Sequence, residues 1–154
     1  MPPRIDIVAV GKLSADLRPA FAHYCRLVSA LARLEVREVR ETPLQKRSEG
    51  EVLRDEGRRL LAALPERATV VVLDAAGRAY DSQAFAVALG RWCASGAAAF
   101  VVGGSLGVAD EVRARADERL SLSPLTLPHQ LTRVVLAEQV FRALKIGRGE
   151  TYHH

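Results

Sequence analysis

The sequence predicts a single α/β domain in which a mostly parallel β-sheet is covered by helices on both faces. Apolar runs of strand length alternate with amphipathic stretches of helical spacing five times along the chain. Several of these runs are apolar almost throughout, which is typical of strands buried on both faces of a parallel sheet. With 154 residues, 49% of them apolar, the chain can bury one proper core but is too short for two ordinary domains.

Most of the predicted helices carry a recognisable start signal. Ser14 is placed to open the first helix, and Ser48 and Glu51 have the spacing of a capping box before the second. Asp81 or Ser82 can cap the third. The strands are predicted at 5–10, 34–39, 69–74, 97–102 and 119–121, and the last two helices at about 109–116 and 131–146. Ligands of parallel sheets bind where the strands end, so the loops after residue 74, from residue 103 and over 122–129 are the candidate site.

The charge balance weakly favours a polyanionic partner. The net charge is +4 and the isoelectric point is near 9.5, values that many proteins without nucleic-acid partners share. Any phosphate contacts would come from basic side chains that are otherwise solvated surface charges, namely Arg4, Lys12, Lys46, Arg47, Arg142, Lys145 and Arg148.

Neither the cysteines nor the hydropathy pattern points to secretion, a membrane or a metal. Cys25 and Cys93 lie far apart in helical patterns, without the paired spacing of a metal site or a disulfide framework. The apolar run at 5–10 is shorter than a signal-peptide core, and no run approaches the roughly 20 residues that span a bilayer. The expected location is the cytoplasm.

The glycine-rich segment 103–107 follows a predicted strand and precedes a predicted helix. It lacks the Gly-Lys-Ser/Thr of a Walker loop and the spacing of a dinucleotide fingerprint. It does match the G-x-S-x-G nucleophile elbow of α/β hydrolases, with Ser105 as nucleophile and Asp117 and His129 downstream in the required order. A serine hydrolase is therefore one open reading. A tight turn whose glycines serve only backbone geometry is another.

Four segments taken together resemble one known family. They are Val-Val-Leu-Asp at 71–74, Val-Gly-Gly-Ser-Leu-Gly at 102–107, Leu-Ser-Pro-Leu-Thr-Leu-Pro-His at 122–129, and the closing Tyr152-His153. Their order and spacing resemble the ribosomal RNA large subunit methyltransferase H family of the SPOUT class. The resemblance extends over the whole chain, including the opening Ile-Val-Ala-Val-Gly-Lys at 7–12.

This resemblance implies a C-terminal trefoil knot, a homodimer and N3-methylation of a pseudouridine in the 23S ribosomal RNA of the assembled ribosome. It implies S-adenosylmethionine as the methyl donor, with no metal. The residues that would bind the cofactor are Leu73, Gly103, Gly104, Leu122, Ser123, Pro124, Leu125, Thr126 and Leu127. Adenine and a thioether need apolar walls and a few backbone hydrogen bonds, which such residues supply. For each leucine alone, core packing is an equally ordinary reading.

Methyl transfer to an imide nitrogen requires that one proton leave, either to a base or with help from a cation. Candidate groups lie near the C-terminus: His129, Glu138, Arg142, Tyr152 and His153. On the last helix, Glu138, Arg142 and Lys145 have the spacing of one polar stripe, which is also that of an ordinary ion-pair stripe.

The tail departs from the Pro-Tyr-His-Lys/Arg ending common in the family. Here Thr151 replaces the proline and His154 the final base. A third open reading is a ribosome-binding protein that has kept the fold without the catalysis.

Overall fold

The structure is a computed structural model and describes residues 1–152. Strands and helices alternate five times, as the sequence predicts. Their bounds are β1 Arg4–Val10, α1 Arg18–Ser29, β2 Arg33–Val39, α2 Glu49–Ala62, β3 Ala68–Ala79, α3 Ser82–Ala94, β4 Ala97–Val102, α4 Asp110–Arg115, β5 Glu118–Ser121 and α5 His129–Gly147.

The five strands form one parallel sheet with the order β2-β1-β4-β3-β5. The register places Ile7 of β1 opposite both Val36 of β2 and Phe100 of β4. Val71 of β3 pairs with Phe100 on one side and Glu118 of β5 on the other. Because every pairing is parallel, the loops after the strands gather along one edge of the sheet.

Side chains alternate along the strands into two hydrophobic cores, one on each face. Ile7 and Phe100 point to the face covered by α1, α3 and α5, where the buried Trp92 also packs. Val8 and Val101 point to the opposite face, which is covered by α2 and α4. The predicted mostly parallel α/β sheet with helices on both faces is therefore confirmed.

Two of the three predicted helix caps are formed. The Ser48 side chain accepts a hydrogen bond from the Glu51 backbone N–H at 3.1 Å, and Asp81 accepts one from the Ala84 N–H at 2.8 Å. The prediction that Ser14 opens the first helix is wrong. The Ser14 carbonyl instead accepts the N–H groups of the residues at 17 and 18 in a separate turn, and α1 begins at Arg18.

The prediction of a loop directly after Leu73 and Asp74 is also wrong. Strand β3 continues to Ala79 through an irregularity, in which Leu120 of β5 stands opposite both Leu73 and Arg78. A Cβ at Gly77 would lie 2.6 Å from backbone atoms of residue 119, so glycine is required there. Among the described residues, no helix is long and apolar enough to cross a membrane.

Candidate functional site

A cavity of about 390 Å³ opens where β4 and β5 end and α5 begins, beside the irregular part of β3 after Leu73. This volume suits a cofactor-sized ligand. Eight of the nine predicted cofactor-binding residues line it, and Pro124 does not: the eight are Leu73, Gly103, Gly104, Leu122, Ser123, Leu125, Thr126 and Leu127. The structure thus brings together segments that lie far apart in the sequence, from Leu73 to Leu127. Their role in binding a cofactor stays a prediction.

The glycine-rich segment forms a tight turn on one side of the cavity. The carbonyl of Gly104 accepts the N–H of Gly107 at 3.0 Å, and Gly107 has a φ of 86°. A Cβ at Gly103 would lie 2.4 Å from the Gly107 carbonyl oxygen. These glycines are therefore required by the turn itself, which presents its backbone to the cavity.

The loop over 122–127 forms another wall of the cavity. It is held by local bonds: the Ser121 hydroxyl donates to the Ser123 carbonyl at 3.1 Å, and the Ser123 hydroxyl accepts the Leu125 N–H at 2.9 Å. Within residues 1–152, the backbone groups of Leu122 and Leu127 have no hydrogen-bond partner outside regular elements. The leucine side chains of this loop offer apolar surface to the cavity.

Asp74 supplies a carboxylate on the cavity lining. The N–H of Ala76, 2.9 Å away, and the guanidinium of Arg113 at 3.3 Å hold the pKa of this carboxyl below its usual range. Arg119 also lies within 3.5 Å. Asp74 is thus a fixed negative charge, partly neutralised by two arginines.

The hydrolase triad suggested by the sequence is not assembled. Ser105 is exposed in the turn described above, well before α4 begins at Asp110, so it does not sit on a strand-to-helix elbow. His129 lines the cavity. Asp117 instead accepts the backbone N–H of Val70 at 2.8 Å, near the start of β3 and therefore away from the carboxyl ends of the strands.

The other predicted catalytic residues form a separate cluster towards the end of α5. Arg142 bonds Glu138 at 3.2 Å, and its guanidinium lies 4.6 Å from the centre of the Tyr152 ring. The same ring packs edge-on against Phe141 at 5.0 Å. Burial, with the nearby Glu138 charge, raises the pKa of Tyr152, so the phenol stays protonated at neutral pH.

The structure does not bring this cluster to the cavity of its own chain. His129 begins α5, and Arg142 lies about 13 residues further along, roughly 20 Å at 1.5 Å per residue. Lys145, further along the same helix, bonds Glu150. His153 lies outside the described residues.

Two buried charged residues near the cavity were missed as site residues by sequence reasoning. Arg133 on α5 and Glu56 on α2 are 0% and 4% exposed. A charged residue on an amphipathic helix normally faces solvent, so the sequence held no signal for their burial. Among the residues that the structure describes, no group of three or more His, Cys, Asp or Glu could hold a metal ion.

A family model described as a predicted SPOUT methyltransferase matches residues 3–153, so the chain is a methyltransferase of the SPOUT class. A probable methylase family protein from Haemophilus influenzae Rd KW20 has a similar fold, with a TM-score of 0.58 and 12% identity, over 100% of this chain and 72% of that one. The SpoU methyltransferase AviRb from Streptomyces viridochromogenes has a TM-score of 0.50 and 16% identity, over 99% and 63% of the two chains.

Sequence relatives identify the family more closely. The chain is 46% identical to ribosomal RNA large subunit methyltransferase H from Rubrobacter xylanophilus, over 97% of this chain and 98% of the relative. It is 44% identical to the protein of the same name from Bacillus thuringiensis, with the same coverage. The chain belongs to the ribosomal RNA large subunit methyltransferase H family.

Proposed function

We propose that this protein transfers the methyl group of S-adenosylmethionine to N3 of a pseudouridine in the 23S ribosomal RNA of the assembled ribosome. It acts in the cytoplasm as a single-domain protein that pairs into a homodimer. Family membership supports the reaction class, and the names of the relatives support ribosomal RNA as substrate. The trefoil knot implied by the resemblance is a property of the chain's path, not of strand order, and stays a prediction.

The observation that carries the proposal is the chemistry of the cavity lining. Leu73, Leu122 and Leu127 provide apolar surface for an adenine ring and a thioether, beside loop backbone groups that can bond the adenine edge. The described side chains that line the cavity include the carboxylate of Asp74 but no lysine or arginine. This combination suits a nucleoside with a positively charged sulfonium better than a phosphate. S-adenosylmethionine, when bound, supplies an electrophilic methyl group.

The chain's own residues would hold the target base and manage its proton. The pyrimidine N3 proton must leave as the new N–C bond forms, which a base assists directly and a cation assists by stabilising the anion. Arg142 is the cation of the cluster, and Tyr152, as a protonated phenol, can donate a hydrogen bond or stack on a base. Tyr152 does not serve as the base, because its pKa is raised. His129 and His153 remain the predicted proton acceptors.

The distance between the cluster and the cavity supports the homodimer. Within one chain, roughly 20 Å of α5 separates His129 from Arg142. A methyl donor in the cavity therefore needs Glu138, Arg142 and Tyr152 from elsewhere, and a second copy of the chain is the simplest source. The alternative of a ribosome-binding protein without catalysis requires no such pairing of two chains.

Calorimetric titration with S-adenosylhomocysteine tests the cofactor site without the RNA. We expect saturable binding with a dissociation constant on the order of micromolar. Gly104→Leu should abolish it, because a Cβ at this position already lies 3.1 Å from Glu56 Oε1 and 3.2 Å from Val10. Gly90→Leu is the matched control, since a Cβ at Gly90 meets no atom within 4 Å. Absence of binding by the unmodified protein would refute the methyltransferase proposal.

Transfer of a labelled methyl group separates the remaining alternatives. Unmodified assembled ribosomes, isolated large subunits and free 23S RNA are offered with labelled S-adenosylmethionine, and the labelled nucleoside is identified by mass spectrometry. Label at N3 of a pseudouridine, in assembled ribosomes, is the expected result. Cofactor and ribosome binding without transfer would favour the non-catalytic reading. Ser105→Ala should only modestly reduce methyl transfer. A Ser105→Ala variant that still binds cofactor but transfers no methyl group would count against the methyltransferase and favour the hydrolase.

A further inference from the structure

A buried carboxylate lies directly behind the glycine turn of the cavity. Glu56 of α2 is 4% exposed, and a Cβ built on Gly104 would lie 3.1 Å from its Oε1. The carboxylate therefore packs against the backbone of Gly104 with no side chain between them. Gly104 lines the cavity on its other side. The Glu56 carboxylate is therefore in position to support this part of the cavity wall.

The second carboxylate oxygen of Glu56 holds the loop that follows β2. Oε2 accepts the backbone N–H of Thr42 at 3.0 Å, and Thr42 is itself 5% exposed. The Thr42 hydroxyl accepts a bond from Arg59, one turn further along α2, at 2.6 Å. The same guanidinium donates to the carbonyl of Arg40 at 2.8 Å. Residues 40–42 are thus bonded to α2 rather than to the strands.

The residue after Glu56 fixes the position of α2. A Cβ at Gly57 would lie 3.1 Å from Ala109 and 3.3 Å from Val112, so α2 and α4 are in close contact there. Ala109 lies two residues after Gly107, where the glycine turn ends. Consequently, α2 packs against this part of the chain at Gly104 and again at Ala109, and the Glu56 carboxylate has little freedom to move away from Gly104.

We propose that Glu56 is a positioning residue that fixes the Gly103–Gly104 backbone for cofactor binding and couples it to the 40–47 loop. It touches neither cofactor nor substrate and acts through Gly104. Burial raises the pKa of Glu56, which agrees with a carboxyl placed for structure in a desolvated position. The 40–47 loop carries Lys46 and Arg47 at the same edge of the sheet, so the coupling links a basic surface loop to the cavity. The effect on cofactor affinity rests on the proposed function.

Three single variants test the inference. Glu56→Ala should weaken S-adenosylhomocysteine binding by about tenfold or more, because it frees the turn and leaves the Thr42 N–H without its buried acceptor. Glu56→Gln should remain within about threefold of the unmodified protein, since its amide oxygen can still accept that N–H. Asp55→Ala is the matched control on the same helix, where the removed side chain makes only a surface ion pair with Arg58.

Hydrogen exchange gives a readout that does not need the cofactor. In Glu56→Ala, the amides of Thr42 and of residues 103–107 should both exchange faster, whereas Glu56→Gln should leave both protected. Faster exchange at Thr42 alone, or unchanged cofactor affinity in Glu56→Ala, would overturn the inference. If the unmodified protein binds no cofactor, the proposed function fails, and exchange still decides whether Glu56 couples the two loops.

A double-mutant cycle keeps the test valid if Glu56→Ala does not fold. Gly104→Ala adds a Cβ that presses on Oε1, and Glu56→Asp shortens the side chain and withdraws that oxygen. The double variant should therefore bind S-adenosylhomocysteine more tightly than the product of the two single effects predicts. Independent, multiplicative effects would show that the two residues are not coupled and would overturn the proposal.

Discussion

The buried guanidinium of Arg133 fastens α5 to the carboxyl end of β1. One nitrogen donates to the carbonyls of Val10 and Gly11, both at 3.0 Å, and another bonds Glu38 at 2.6 Å. The side chain is 1% exposed, whereas that of Glu38 is 37% exposed. Replacing Arg133 by methionine keeps most of the volume and removes all three bonds.

The loss of stability expected for Arg133→Met follows from the polar groups that lose their partner. Glu38 can regain water, but the two carbonyls beneath α5 lose a charged donor in a buried position. Leaving these carbonyls without a donor costs about 1–3 kcal/mol for each, or about 2–6 kcal/mol for the two. Unfolding entropy of about 2.1 cal/mol/K per residue, over 154 residues, converts this into a melting temperature lower by about 6–19 °C. Arg133→Lys should recover little, because an ammonium cannot reproduce the planar geometry of these bonds.

Chemical denaturation measures the loss of stability directly. The single tryptophan, Trp92, is 3% exposed and reports unfolding by fluorescence. All variants are compared at one protein concentration, because dimerisation would make stability concentration-dependent. Arg58→Met is the control, since this arginine is 74% exposed and should contribute less than about 1 kcal/mol. A value for Arg133→Met within about 1 kcal/mol of the unmodified protein would refute the reasoning.

Two further predictions concern titratable groups. Burial raises the pKa of Cys25 from 9.0 to about 11, so at about pH 8 the thiolate fraction is roughly 100-fold lower, and iodoacetamide should react correspondingly more slowly than with the unfolded chain. Equal rates would contradict this. The pKa of Asp74 is lowered by the Ala76 N–H and by Arg113, so its stabilisation is present above about pH 4 and is lost as the pH falls through the folded-state value. Asp74→Asn should therefore cost about 1–2 kcal/mol near pH 7, and a cost that persists in strong acid would refute the assignment.

Apolar runs and helix caps predicted most of the strands and helices, because each of these features acts within a few residues of the chain. The run at Ala97–Val102 is apolar throughout and matches β4 at both ends. The side chains of Ser48 and Asp81 cap their helices within three residues of themselves. Where pairing with a neighbouring strand sets the end of an element, the same signals gave the wrong boundary. Strand β3 extends to Ala79 because β5 offers a partner beyond Leu73, which no residue in β3 reports.

Motifs in the sequence predicted which residues line the cavity, but they did not predict how far the cavity lies from the catalytic candidates on α5. The family-like segments at 102–107 and 122–129 come together because parallel β4 and β5 end at one edge of the sheet, and the irregular part of β3 places 71–74 beside them. The position of the Tyr152 cluster could be found only in the tertiary structure, because the distance along α5 and the packing of the tail onto Phe141 depend on tertiary contacts.

By itself, the sequence determined the alternation of strands and helices, the family and the segments that form the cavity. These depend on periodicity, capping and motif spacing, which are readable one segment at a time. Only the tertiary structure decided that Glu56 and Arg133 are buried behind the cavity while Ser105 is exposed. The physical reason is that burial of a charge depends on which partners surround it, and those partners lie as far away in the chain as Val10 does from Arg133.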